Sequence, residues 1–261
     1  MLVTVDVGPR VIFYGYDGGE NISYEDEQDL INKGGEYFDD NLPNKGIWHI
    51  YGGHRLWKCP EYLDTYYPDN APVKVVEEKD GICFISGVEE TTGIQKTIKI
   101  NMSDDGNATV EHKFVNKGNT STPPIALWAL SVMDKGAKAY VPISTEDTGL
   151  LPNRNITLWS YTDLKDPRLD IQNGLITLSQ ANDSHPIKIG TFASGAVKVD
   201  IKGMTFAIDF TSPDGEYGDH HCNIETYTND IMLEIETLSP IKSMACGEEA
   251  VHIEKWSLNR Q

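Results

Sequence analysis

The feature that most constrains this chain is its alternation. Short segments in which apolar residues recur at every second position follow one another from about residue 70 to the end, and helical periodicity is nearly absent. Turn signals sit between them. Lys79-Asp80-Gly81 separates Val73–Glu77 from Ile82–Val88, and Asp104-Asp105-Gly106 separates Gln95–Met102 from Ala108–Val115. Lys202-Gly203 separates Ala196–Ile201 from Met204–Phe210. Asp-Gly and Lys-Gly pairs supply the positive-φ positions that tight hairpins need. Leu175–Ser179, Ile187–Phe192, Ile231–Leu238 and Ala250–Leu258 extend the series to at least ten strands. The expectation is an all-β chain of large antiparallel sheets with few short helices, stacked in two layers because each half-apolar sheet must bury one face.

With 261 residues and no linker or internal repeat, one domain over residues 1–261 is the economical reading. The exception to the β pattern is Ser23–Lys33. Ser23 with Asp26 three residues on resembles a capping box and Gly34-Gly35 a stop, so a short helix is expected there. The surrounding Asp17–Asp40 holds nine acidic residues against one lysine, which reads either as a solvated flap or as a lid over a site.

The formal net charge is −18. A field of that sign repels phosphate backbones and anionic headgroups, so neither nucleic acid nor a membrane surface is an expected partner, whereas neutral small molecules and glycans are open. Met1–Asp6 enters a strand-like pattern without the basic and apolar regions of a leader, so a cytoplasmic location is expected. The four cysteines lie far apart with no C-x-x-C pair, arguing against a zinc cage or a disulfide framework. Adjacent His220 and His221 point to opposite sides of an extended chain, and no glycine-rich phosphate loop occurs, so no metal and no cofactor is expected.

Two segments carry chemistry. In Gly52-Gly53-His54-Arg55-Leu56-Trp57-Lys58-Cys59-Pro60-Glu61, a flexible glycine pair precedes an imidazole, a guanidinium, an indole and a carboxylate. That set suits a sugar pocket, with an aromatic face for ring C–H groups and planar charged groups for hydroxyls; a surface loop with an internal Arg–Glu pair is the alternative. In Cys222–Pro240, Glu225 precedes a strand in which Glu234 and Glu236 share one face. Either that face meets water, or it lines a polar cleft where mutual repulsion raises one pKa into the range of acid–base work.

These residues, with Val7–Ile12, Thr92-Gly93-Ile94-Gln95-Lys96, Val110–Asn116, Leu127-Trp128-Ala129-Leu130, Leu233–Pro240, Gly247-Glu248 and Glu254-Lys255-Trp256, fall in an order that resembles the galactose mutarotase-like superfamily, in its aldose 1-epimerase-related branch. The resemblance implies a β-supersandwich and a carbohydrate ligand. It places Glu236 as the base at the anomeric hydroxyl with Glu234 beside it, and Arg55 on sugar hydroxyls. In an enzyme of that kind Glu61 and Glu225 would hold further hydroxyls and Trp57 or Trp128 would stack on the ring, while Lys96, with Arg55, would make a local basic pocket for the substrate. Family enzymes protonate the ring oxygen with a histidine in an Asn-His-x-Tyr-Phe segment. Here the matching stretch is Ala126-Leu127-Trp128-Ala129-Leu130-Ser131, so His54 stands as the candidate acid. Three readings follow: an aldose 1-epimerase-like enzyme, a sugar-binding or sensor protein without catalysis, or acid–base chemistry on another sugar, such as a lyase or isomerase step. Nothing in the sequence sets an oligomeric state.

Overall fold

The computed structural model describes residues 1–34 and 46–261. Its described residues form an antiparallel eight-stranded sheet, an antiparallel ten-stranded sheet and one two-stranded ribbon. The eight-stranded sheet runs in the order Leu2–Val3, Val11–Phe13, His54–Cys59, Ala126–Met133, Leu233–Leu238, Ile224–Thr228, Ile187–Thr191 and Ile156–Leu158. In the ten-stranded sheet, Glu249–Arg260 sits near the middle between Met204–Phe210 and Ala108–Asn116. The all-β expectation, with large antiparallel sheets and few short helices, is met.

The hairpins form where the turn residues put them. Gly81–Val88 pairs with Ile94–Met102, which pairs with Ala108–Asn116, and Lys202 (φ 50°) and Gly203 (φ 69°) make the tight turn from Val197–Ile201 into Met204–Phe210. The two sheets stack face to face. Leu56, Leu127, Ile189, Ile235 and Leu233 from the smaller sheet pack with Ile94, Ile98, Phe114, Val199, Phe206 and Trp256 from the larger one in a single buried cluster. Burying apolar side chains at roughly 25 cal/mol per Å² is the main term holding the layers together.

Because side chains alternate, every strand of the smaller sheet presents its other set to the opposite face. There Trp48, Trp57, Tyr66, Trp128, Leu130, Met232 and Leu238 make a second, aromatic cluster. This outer face carries the candidate site.

Residues 23–33 are not helical. Ser23 bridges Met133, Glu25 bridges Gly52, and Asn32–Lys33 pairs with Trp48–His49. The cause lies at Asp26, whose carboxylate accepts from the backbone N–H groups of Leu30 (2.9 Å) and Ile31 (2.8 Å) while also taking the Tyr24 hydroxyl (3.0 Å). It closes a turn instead of capping a helix, the competing use of short acidic side chains. The expected Gly35 stop and the acidic residues 36–40 lie outside the described residues.

Candidate functional site

The site is built by the register of five strands. Trp57 lies opposite Trp128, and Arg55 opposite Leu130. Leu130 in turn lies opposite Glu236, and Val132 opposite Glu234. Glu236 faces Glu225, Glu234 faces Tyr227, and Tyr227 faces Lys188. Period-2 alternation therefore brings Arg55, Trp57, Trp128, Lys188, Glu225, Tyr227, Glu234 and Glu236 to one face.

The paired glycines set the start of this array. Gly52 (φ 96°) and Gly53 (φ 67°) occupy the left-handed region, and a Cβ would meet the Tyr24 carbonyl oxygen at 2.0 Å and the Val11 carbonyl oxygen at 2.3 Å respectively. Only glycine allows the chain to pass this close, and the strand that follows is thereby seated between Val11–Phe13 and Ala126–Met133. Gly190 does similar service beside Glu225, since a side chain there would press on Cys222 Sγ at 2.6 Å and Glu225 Cγ at 3.3 Å.

A cleft of about 260 Å³ opens over this face. Its walls are aromatic, with Trp48, Trp57, Trp128, Tyr66, Tyr161 and Tyr227, and its polar groups include Glu61, Lys188 and Glu234. The Trp57 and Trp128 rings meet edge to face at 5.3 Å, and Trp48 lies 5.4 Å from Trp57. A larger recess of about 500 Å³ runs along Glu90–Ile94 and Gly118–Pro123, but it holds none of the residues expected to act on a sugar.

Beneath the cleft lies a buried charge cluster. Lys188 Nζ donates to Glu236 Oε2 at 2.8 Å and pairs with Glu225 Oε2 at 2.8 Å, and the Trp128 indole N–H donates to Glu236 Oε2 at 2.8 Å. Two glutamates directly opposite each other in a sheet repel, and the ammonium between them offsets that repulsion. Burial works against the Lys188 charge, yet Glu225 and Glu236 outweigh it and hold its pKa well above the ordinary value. Burial, reinforced by the Glu236 charge, pushes Glu225 well above the carboxylate range despite Lys188. The ammonium is thus balanced by Glu236. Lys188 also lies over the Trp128 and Trp159 rings, at 4.6 and 4.7 Å from their centres.

Glu234 is different. It is half-buried and borders the cleft. Burial, and then the Glu236 charge, push its pKa up to about 8. At neutral pH its carboxyl is therefore predominantly protonated and can donate as well as accept.

Arg55 sits deeper than a hydroxyl-binding group would. It is 2 % exposed, lies 4.8 Å from the Trp57 ring and 5.0 Å from the Trp48 ring, and donates from Nη2 to the Ile50 carbonyl at 2.8 Å. Its Nε and Nη1 have no hydrogen-bond partner among the described residues. It supports the aromatic wall from behind. Glu61 is exposed at the rim and accepts from the Tyr66 hydroxyl.

Two expected residues stand elsewhere. His54 is adjacent to Arg55 on a strand and so points the opposite way, into the core between the sheets, where it contacts Ser131 and His112. Lys96 lies on the inner face of Ile94–Met102 in the ten-stranded sheet and pairs with Glu89 at 2.6 Å. Conversely, Lys188, Tyr161 and Tyr227 belong to the cleft without having been singled out as ligand-binding. The signal for Lys188 was a lone cation inside the apolar run Ile187-Lys188-Ile189.

No protein-family model matches the sequence, and no curated protein matches it. Among solved structures, the chain is similar to a candidate aldose 1-epimerase from Escherichia coli K12, at 12% identity and a TM-score of 0.45 over 84% of this chain and 75% of that one. It is similar to a candidate aldose 1-epimerase from Klebsiella pneumoniae, at 12% identity and a TM-score of 0.45, covering 80% of this chain and 63% of that one. An aldose epimerase homologue from C. elegans matches at 11% identity and a TM-score of 0.44, over 74% and 70% of the two chains.

Proposed function

We propose that the cleft binds a neutral monosaccharide and interconverts its anomers, with Glu234 as the catalytic residue. The observation that carries this reading is a cleft-facing carboxyl, raised to about 8, within an aromatic-walled cavity of about 260 Å³. Indole and phenol faces cover the C–H surface of a sugar ring while leaving its hydroxyls to the few polar groups. A neutral ligand fits because both lysines on the cleft are already engaged, Lys188 by two glutamates and Lys33 over the Tyr66 ring at 3.5 Å.

A neutral carboxyl can catalyse ring opening alone. Its O–H gives a proton to the ring oxygen while its carbonyl oxygen takes the proton of the anomeric hydroxyl. The bond from the anomeric carbon to the ring oxygen breaks, a carbonyl forms at that carbon, and the carboxyl ends neutral with its oxygens exchanged. Rotation about the next C–C bond and the reverse transfer give the other anomer. This chemistry requires no histidine. Glu236, the base implied by the family resemblance, is fully buried beside Lys188 and Trp128; its charge instead helps keep Glu234 protonated.

A second reading, a sugar-binding protein without catalysis, is favoured by one observation: among the described residues, no histidine lines the cleft. NMR on a panel of neutral aldoses separates the two, since saturation transfer reports binding and exchange between anomeric resonances reports catalysis. Both signals together support the enzyme, transfer without exchange supports the binder, and silence on both rejects a sugar ligand.

A further inference from the structure

The core between the sheets holds a polar cluster that the cleft does not use. His54 and Ser131 enter it from the smaller sheet, together with Thr237; His112, His252, Glu254 and Trp256 enter from the larger one. His54 is 2 % exposed, and His112 and Glu254 are fully buried. His54 Nε2 approaches His112 Nε2 at 2.6 Å and Glu254 Oε2 at 3.9 Å, and one ligand atom from each of the three residues lies within 4.8 Å of the others.

We infer that His54, His112 and Glu254 form a binding site for a divalent transition-metal ion, with Zn²⁺ the best match. Two imidazole nitrogens and one carboxylate oxygen are a borderline donor set, which suits zinc over the hard cations Mg²⁺ and Ca²⁺. Each ligand is also held from behind. His112 Nδ1 donates to the His252 carbonyl at 3.1 Å, which leaves the lone pair of the neutral ring on Nε2, the atom facing the cluster. His54 Nδ1 contacts Ser131 Oγ at 2.8 Å. Glu254 receives the Trp256 indole N–H at 2.8 Å and the Thr237 hydroxyl at 2.5 Å. Outer contacts of this kind fix ring orientation and ligand basicity at metal centres.

Charge points the same way. Among the described residues, Glu254 has no lysine or arginine partner, and a buried carboxylate without a counter-charge is costly. A divalent cation supplies the missing charge. Binding needs a small rearrangement: two bonds of 2.0–2.1 Å at a tetrahedral angle put ligand nitrogens about 3.3 Å apart, so the 2.6 Å contact must open. The proton shared between the two Nε2 atoms then moves to His54 Nδ1, and Ser131 turns from donor to acceptor.

The test is metal content. Full-length protein is purified from cells grown with added Zn²⁺, dialysed against metal-free buffer and assayed by mass spectrometry, alongside His112→Gln, Glu254→Gln and a surface control, His220→Gln/His221→Gln. The expected result is about one zinc per chain in the wild type and the control, and under about a tenth of that in either core variant. Co²⁺ substitution in the wild type should give an intense visible band from a four- or five-coordinate site, which needs no variant to fold. A metal-free wild type without that band overturns the inference. So does a zinc content that survives both core substitutions or disappears in the surface control.

Discussion

Lys188 Nζ sits 2.8 Å from both Glu225 Oε2 and Glu236 Oε2, one ammonium joining two carboxyls that the strand register places directly opposite each other. Removing one member of such a buried cluster leaves charge that nothing offsets. Lys188→Met should lower the unfolding free energy by about 3–5 kcal/mol, read as a fall in the urea midpoint. Adding Glu236→Gln to that variant should restore part of the loss, because the carboxylate left without its ammonium is gone. If Lys188→Met were neutral, the cluster would not be the electrostatic keystone of this face.

The glycine pair that seats the strand His54–Cys59 should tolerate no side chain. Gly52→Ala faces backbone oxygen at 2.0 Å in a positive-φ conformation, so its cost should reach about 3 kcal/mol or more. Gly18→Ala is the matched comparison, with φ 65° but nothing within 4 Å of the added Cβ, and should cost only about 1 kcal/mol. Thermal unfolding of the two variants checks the difference.

Arg55 should act through the aromatic wall. Arg55→Ala removes a guanidinium packed against Trp48 and Trp57 and leaves a void beneath them, costing about 3 kcal/mol. The near-ultraviolet circular dichroism of the tryptophans should change with it, and sugar affinity should fall about tenfold or more through loss of the wall. An unchanged tryptophan spectrum would contradict this placement.

Glu234 makes stability depend on pH with a definite sign. Its pKa rises from an ordinary 4.5 to about 8 in the folded protein, so the folded state holds the proton more tightly. Its contribution is complete below about 4.5 and is lost as pH rises through about 8. Urea titrations between those limits should show the unfolding free energy falling with pH in the wild type and falling less steeply in Glu234→Gln.

Much of this was legible in the residues because alternation is a reliable geometric rule. The hairpin boundaries at Asp80-Gly81 and Lys202-Gly203, and the shared face of Glu234 and Glu236, follow from period 2 and turn chemistry alone. The same rule separates His54 from Arg55: neighbours on a strand face opposite ways, so an acid and a hydroxyl-binding group cannot come from adjacent positions there. Lys188 was hidden because a lone lysine in an alternating strand has the same pattern whether its face meets water or a buried carboxylate pair. Asp26 was misleading because one short carboxylate can cap a helix or close a turn, and only the pairing of Glu25 with Gly52 and of Asn32–Lys33 with Trp48–His49 decides between them.

The most direct test of the central claim is the rate of exchange between aldose anomers, measured by NMR in wild type and Glu234→Gln at neutral pH on the sugar that shows saturation transfer. Glutamine keeps the shape and the hydrogen bonds but cannot pass a proton through its two ends as the acid does. The account predicts that saturation transfer persists in the variant while protein-catalysed exchange falls about a hundredfold or more. Exchange that continues undiminished in Glu234→Gln would contradict it.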